Sequence, residues 1–287
     1  MKTLVLGASG FLGRKVLNKL DVEESDLFAG VRSLPGTQIA NCKYLLVDDL
    51  IGTDKWTSLK FDIIINVAMK RSSRNSPISD EVIEQLNFKT PLEVMEKYSH
   101  AGTLILNTST YIQNFQGIKG NTVEPYGASK EMLSRALEIE AGRGNFNVLD
   151  LYLFTLFGPG DRQNHLVPLL ISALRSKAPV ELSEGDQLIN LLYIDDAVES
   201  IVRATKSELD GYSASFLWEE EYYSVKELVS RLEQVAGTKL NITWGAVPYG
   251  GHEMFVPWNI PVPQYKGLVA NTSLVKGLEL TFNTDVM

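Results

Sequence analysis

The chain has 287 residues, 44% of them hydrophobic, enough for a large core in one domain or two coupled ones. Against 35 acidic residues stand 27 basic ones, a net charge of −8 that excludes nucleic-acid binding through a general basic surface but not a local phosphate site. The single cysteine, Cys42, excludes an internal disulfide and fits a reducing compartment.

The run Thr3-Leu4-Val5-Leu6 follows the N-terminus at once, and it is too short for a signal core or a membrane span. No later stretch is apolar over 18 residues, so a soluble cytoplasmic protein is expected. Short continuous apolar runs of this kind suit strands buried on both faces. Further ones occupy 27–31, 44–47, 63–67, 104–106 and 148–154. Helical segments lie between them, at 14–20, 80–98 and 126–141. Such alternation predicts a doubly wound parallel α/β sheet, a Rossmann fold. After Gly158-Pro159-Gly160 the pattern changes to helices near 163–177, 195–206 and 224–236, short strands and a proline-rich tail. The predicted division is a dinucleotide-binding domain over 1–160, with about 190–218, and a smaller α/β substrate lobe over about 161–189 and 219–287.

Between the first strand and first helix stands "LVLGASGFLG". Gly7 permits the tight turn, Gly10 lets backbone approach a pyrophosphate at the helix N-terminus, and Gly13 lets the helix lie close on the sheet. A glycine triplet alone marks many plain turns, but here it follows a buried strand and opens a helix. Gly7, Ser9, Gly10, Phe11, Leu12 and Gly13 are therefore expected to hold a dinucleotide. At the end of the second strand an acid would favour NAD through the ribose hydroxyl. Arg32 stands there instead and can neutralise a 2′-phosphate, which points to NADP, with NAD still possible. The alternative is a solvated arginine at a strand end. Asp48, after the third strand, suits either the adenine amino group or a turn.

Tyrosine four residues before lysine occurs twice, at Tyr222/Lys226 and Tyr126/Lys130. Ser224 and Glu227 read as a capping box, which puts Tyr222 ahead of its helix. Tyr126 follows Pro125 in a first helical turn, so Tyr126 and Lys130 share a face. A phenol ordinarily titrates near pH 10, and a neighbouring ammonium lowers that value, so Tyr126 becomes a candidate proton donor or acceptor. The hydroxyls of Thr108, Ser109 and Thr110 end a buried strand, where parallel sheets face their ligands. Spacings of His100, His165 and His252 suggest no metal site.

Together these residues resemble the extended short-chain dehydrogenase/reductase family, often labelled NAD-dependent epimerase/dehydratase. "GASGFLG" is similar to its cofactor loop and "DIIINVAMK" to its fourth strand, where the resemblance has Val67, Ala68 and Lys70 line the cofactor. Asn87 falls where the family has an asparagine, "PYGASK" resembles its active-site helix, and "LYLFTLFGPGD", with Phe154, its sixth strand and turn. "LLYIDDAVESIV" matches a returning segment. By the resemblance Thr108, Tyr126 and Lys130 form the catalytic triad, and Tyr126, Lys130 and Phe154 also meet the cofactor. Within the family, "NTSTYIQ" and "VPYGGHE" look most like reductases that make deoxyhexose nucleotides, such as abequose or paratose synthases. These reduce a 4-keto sugar on a nucleoside diphosphate. Thr108, Ser109, Thr155, His165 and Leu166 would then contact that substrate.

The chain also departs from the family. Ser109 and Thr110 replace the Asp-Glu pair of the 4,6-dehydratases, which argues against water elimination. Thr155 stands for a common asparagine, and Ile189 for an arginine that grips the diphosphate. Arg162, Lys177 and Arg231 are candidates to supply that charge, and sequence does not choose among them. The expected activity is NADPH-dependent reduction of a nucleotide-linked 4-keto-6-deoxysugar. The alternatives are an epimerase with tightly bound NAD(P) and a cofactor-binding scaffold with an idle triad. Homodimerisation is implied by the resemblance only.

Overall fold

The computed structural model describes residues 1–37, 40–72, 77–161, 165–259, 262–267, 269 and 271–284. In chain order the elements are β1 Thr3–Leu6, α1 Phe11–Lys19, β2 Leu27–Val31, β3 Lys43–Leu46, α2 Val47–Gly52, β4 Ile63–Asn66, α3 Asp80–Glu84, α4 Thr90–Tyr98, β5 Leu104–Thr110, α5 Pro125–Gly142 and β6 Asn147–Leu153. Then follow β7 Thr155–Phe157, α6 Leu166–Ser176, β8 Val180–Glu181, β9 Leu188–Ile189, β10 Leu191–Tyr193, α7 Ile194–Ala204, β11 Tyr212–Leu217, β12 Tyr223–Ser224, α8 Val225–Ala236, β13 Ile242–Thr243 and α9 Leu274–Thr284.

The chain divides into two compact units, one of 1–153, 198–216 and 260–267, the other of 154–197, 217–259 and 268–287. Among the described residues the first unit carries a seven-stranded sheet in the order β11-β6-β5-β4-β1-β2-β3. The pairings from β3 through to β6 are all parallel. This is the doubly wound fold expected from the alternating pattern. Its order reverses at β1, which has β2 on one side and β4 on the other, and that is where such sheets bind ligands. Leu4, Leu6, Ile64 and Ile105 pack with Val94 and Met95 of α4 and Leu133 and Leu137 of α5 in one buried core. By the two-residue period of a strand, Val5, Ile63 and Ile65 project to the opposite face, equally buried. Both faces are covered, so the strands read as unbroken apolar runs.

In the second unit β7 pairs in parallel with β10, β12 antiparallel with β9, and β13 parallel with β8. The opening segment of the first unit runs to Leu153, and Thr155–Phe157 pair with β10 in the second unit. A Cβ added at Gly277 of α9 would lie 2.6 Å from the Phe157 ring, so that helix sits directly on the β7–β10 pair. The Ser224–Glu227 capping box forms at the start of α8, and Tyr222 lies ahead of the helix. No helix among the described residues is long and apolar enough to cross a membrane.

Candidate active site

The glycine loop forms a cradle that side chains would fill. Gly7 has φ +78°, and a Cβ there would stand 2.6 Å from the Ala68 backbone. A Cβ on Gly13 would lie 2.2 Å from the Gly7 carbonyl oxygen. Gly10 is the N-cap of α1, with no side-chain cap and no acid in the first turn. Orphan N–H groups and the positive end of the helix dipole are thus left for an anion, which is the fit a dinucleotide pyrophosphate requires. Arg14 Nε holds the loop by donating to the Ser9 carbonyl at 2.8 Å. Ser9 and Gly10 are exposed, while Phe11 and Leu12 are half-buried. The Ala8 N–H reaches the Gly30 carbonyl at 3.4 Å, so the end of β2 lies beside the loop, and Arg32 follows it, exposed. Asp48 is exposed in the first turn of α2.

Beyond β4 the chain is held by an asparagine. Asn87 Nδ2 donates to the Lys70 carbonyl at 2.7 Å and its Oδ1 accepts the Lys70 N–H at 2.7 Å. The same Nδ2 reaches Ser129 of α5 at 3.1 Å. Asn87 sits in a π-helical turn, Gln85–Lys89, between α3 and α4. Such one-turn widenings re-aim a side chain without ending the helix. Val67 is buried and Ala68 half-buried.

Helix α5 brings the tyrosine and the lysine to the ends of β4 and β5. Lys130, 1% exposed, donates to the Thr108 carbonyl at 2.8 Å and the Ala68 carbonyl at 3.0 Å. Burial lowers its ammonium to about 8, against an upward pull from the carboxylate of Asp150. The Thr108 hydroxyl donates to the Asn66 carbonyl at 2.9 Å. Tyr126 is buried, which pushes its phenol up to about 12; the Arg71 guanidinium pulls it down, as does a hydrogen bond with Thr110. The guanidinium carbon of Arg71 lies 5.8 Å from the centre of the Tyr126 ring, and the group pairs with Glu124 at 2.9 Å. The ammonium expected to acidify the phenol is thus directed to backbone carbonyls, and the cation acting on Tyr126 is Arg71.

Behind β5 lies a buried polar cluster. Asp150 of β6, fully buried, accepts from Asn107 Nδ2 at 2.8 Å and Ser109 Oγ at 2.7 Å on Oδ1, and from the Tyr212 hydroxyl at 3.0 Å on Oδ2. Ser109 also meets Ser134 of α5 at 3.0 Å. Asn66 Nδ2 donates to Asn107 Oδ1 at 2.8 Å, and Asn66 Oδ1 accepts the Ala68 N–H at 3.3 Å. The Ser109 hydroxyl, grouped with the substrate contacts on sequence, is committed to this cluster.

The remaining predicted residues belong to the second unit. Phe154 is buried, with ring centres 6.0 Å from Trp218 and 6.1 Å from Tyr222. Thr155 opens β7. His165 is the N-cap of α6 and its Nδ1 lies 2.9 Å from Asp161, while Leu166 begins the helix, half-buried. Lys177 ends α6 in the left-handed region, and Arg231 stacks 4.9 Å from the Tyr223 ring centre. Arg162 lies outside the described residues. Among the described residues no group of three His, Cys, Asp or Glu is placed to hold a metal.

Arg71, Asn107, Ser134 and Asp150 were not anticipated from sequence. Asp150 alone left a trace, as the one charged residue in the apolar run Val148-Leu149-Asp150-Leu151-Tyr152-Leu153. Arg71 left none, because its partner Glu124 lies 53 residues away.

Comparison with known proteins adds to this geometry. The NAD dependent epimerase/dehydratase family matches residues 3–213. A CDP-abequose synthase of Yersinia pseudotuberculosis is 27% identical over 71% of this chain and 72% of its own. Another CDP-abequose synthase, of Salmonella typhimurium, is 23% identical over 96% of this chain and 95% of its own. The solved structure of MoeE5 in complex with UDP-glucuronic acid and NAD superimposes with a TM-score of 0.82 at 21% identity, covering 99% of both chains.

Proposed function

The chain belongs to the NAD dependent epimerase/dehydratase family and is an NAD(P)-dependent enzyme of the extended short-chain dehydrogenase/reductase type, and from that premise we propose that it reduces a nucleotide-linked 4-keto-6-deoxysugar with NADPH. The observation that carries this reading is the meeting at the ends of β4 and β5: Lys130 on the Ala68 and Thr108 carbonyls, Tyr126 against Thr110, and Gly7 packed on Ala68. The name shared by the two CDP-abequose synthases supports the substrate class.

When bound, the reduced nicotinamide supplies hydride to the carbonyl carbon. Gly7, Gly10 and Gly13 leave room for the pyrophosphate, and Arg32 is assigned to the 2′-phosphate. Lys130 has one N–H beyond the two it gives to carbonyls, and it is assigned to the cofactor ribose. Tyr126 keeps its proton at neutral pH, the state a reduction needs, and gives it to the carbonyl oxygen as charge develops there. Thr108 is assigned to steady that oxygen, for which its hydroxyl proton turns from the Asn66 carbonyl to the substrate. Ser109 and Thr110 stand where a dehydratase has its acid–base pair, and neither hydroxyl is a competent acid or base unaided, which argues against water elimination. Thr155, His165 and Leu166 are assigned to the nucleotide-sugar.

The test is to incubate the protein with NADPH and a panel of 4-keto-6-deoxy nucleotide sugars and follow the reduced-nicotinamide absorbance. Turnover is expected, faster with NADPH than with NADH, and Arg32→Ala should bring the two cofactors together. Tyr126→Phe should lower kcat by about 10²–10⁴-fold while NADPH still binds. No turnover across the panel by folded protein overturns the reading. Tightly co-purifying NAD without net NADPH oxidation would indicate the epimerase instead.

A further inference from the structure

We propose that Asp150 is a positioning residue for this reaction: its buried carboxylate orients the amides that hold the Lys130 site and supplies the counter-charge that keeps Lys130 cationic. The proposal rests on the reading of Lys130 given above.

The cluster closes into a ring. A carboxylate only accepts hydrogen bonds, so Asp150 requires the NH₂ side of Asn107 to face it. Asn107 then turns its oxygen to Asn66, whose NH₂ donates to it. Asn66 in turn faces its own oxygen to the Ala68 N–H. The carbonyl of that same Ala68 accepts from Lys130. On the other side Ser109 links Asp150 to Ser134, which stands four residues after Lys130 on α5 and thus on the same helix face. The polarity of two buried amides is therefore set from one end, and the far end is the lysine site. An asparagine at 150 would bring its own NH₂ among these donors and remove that constraint.

Charge points the same way. An ammonium 1% exposed on two neutral carbonyls is disfavoured by lost hydration, and Asp150 is the group whose field opposes that loss. Three donors, from Asn107, Ser109 and Tyr212, in turn stabilise the carboxylate against its own burial, which pushes it upward. The other titratable groups facing the cluster are Tyr152 of β6, Tyr212 of β11, and Glu131 and Glu138 of α5. Burial pushes both tyrosines up, so they stay neutral through the range of interest. Toward Tyr126 stand Arg71 and Glu124.

The experiment compares wild type with Asp150→Asn. One arm reads the pH dependence of kcat with NADPH; the other titrates [¹³Cε]lysine by NMR without substrate, with Lys130→Met assigning the signal. The proposal expects the Lys130 midpoint and the alkaline fall in kcat both to move down by about one pH unit in Asp150→Asn, and kcat at neutral pH to fall about tenfold. An Asp150→Asn protein with wild-type midpoint and alkaline limb overturns it. Should that variant not fold, [¹³Cγ]aspartate in wild type decides. A carboxylate at pH 7 whose protonation on acidification moves the Lys130 signal supports the proposal, and a carboxylic acid at pH 7 overturns it. If wild type turns over none of the sugars, the functional reading fails, while the NMR arm still judges the coupling of Asp150 and Lys130.

Discussion

A tyrosine and a lysine four residues apart were visible in sequence, but not what each of them meets. Tyr126 lies against Arg71 and Thr110, whereas Lys130 faces carbonyls with Asp150 behind them. The division of labour follows from helix geometry. Successive turns of α5 pass over different strand ends, so two residues on one face need not share an environment. Arg71 is the cation found against the phenol, and we propose that it contributes to the tuning assigned to the lysine. Arg71→Gln should leave a less acidic phenol and lower kcat at pH 7 by about tenfold, and Arg71→Lys should restore part of it. Equal kcat for Arg71→Gln and wild type in the reductase assay would remove Arg71 from the chemistry.

Among the elements, the segment 80–98 shows most plainly where periodicity runs out. Its apolar pattern predicted one helix, whereas the structure has α3, a π-helical turn and α4. An extra residue in one turn leaves the helical pattern nearly unchanged, so period alone does not reveal it. What the widened turn achieves is tertiary: it carries Asn87 to both backbone groups of Lys70 and to Ser129, tying the loop after β4 to α5. Asn87→Leu would strand the Lys70 N–H and carbonyl. It should cost about 2–3 kcal/mol in urea unfolding and weaken NADPH binding, read by fluorescence titration. A stability loss without any change in binding would make the clamp purely structural. The glycine loop is the opposite case. Its spacing, strand and helix were all legible, because a Cβ on Gly7 would fall 2.6 Å from the Ala68 backbone and the residue sits at positive φ, which together require glycine.

For the molecule as a whole, the buried lysine makes stability depend on pH. Lys130 titrates at about 8 when folded against an ordinary 10.5. Between these values the unfolded chain holds a proton that the folded chain has released, so the Lys130 contribution rises with pH. Below about 8 both forms are charged and the burial cost is constant. Tyr126 acts in the opposite sense only above 10, where the unfolded phenol ionises before the folded one at about 12. Denaturation of wild type and Lys130→Met across pH 7 to 10 should therefore show wild type gaining on the variant by about 2–3 kcal/mol. Parallel curves would mean that Lys130 is solvated in the folded protein.

Sequence by itself determined the doubly wound sheet, the glycine turn between β1 and α1, and the membership of Tyr126 and Lys130 in one helix. Each depends on local constraints: strands buried on both faces, a turn that only glycine permits, a fixed helical rise. Only the tertiary structure decided which cation meets the phenol, where the Ser109 hydroxyl points, and that Asp150 stands behind Lys130. Those outcomes depend on contacts between residues tens of positions apart, such as Asp150 with Asn107 and Arg71 with Glu124. Apolar periodicity and motif spacing carry no record of such pairings, because the field at a buried charge is set by what the fold places around it.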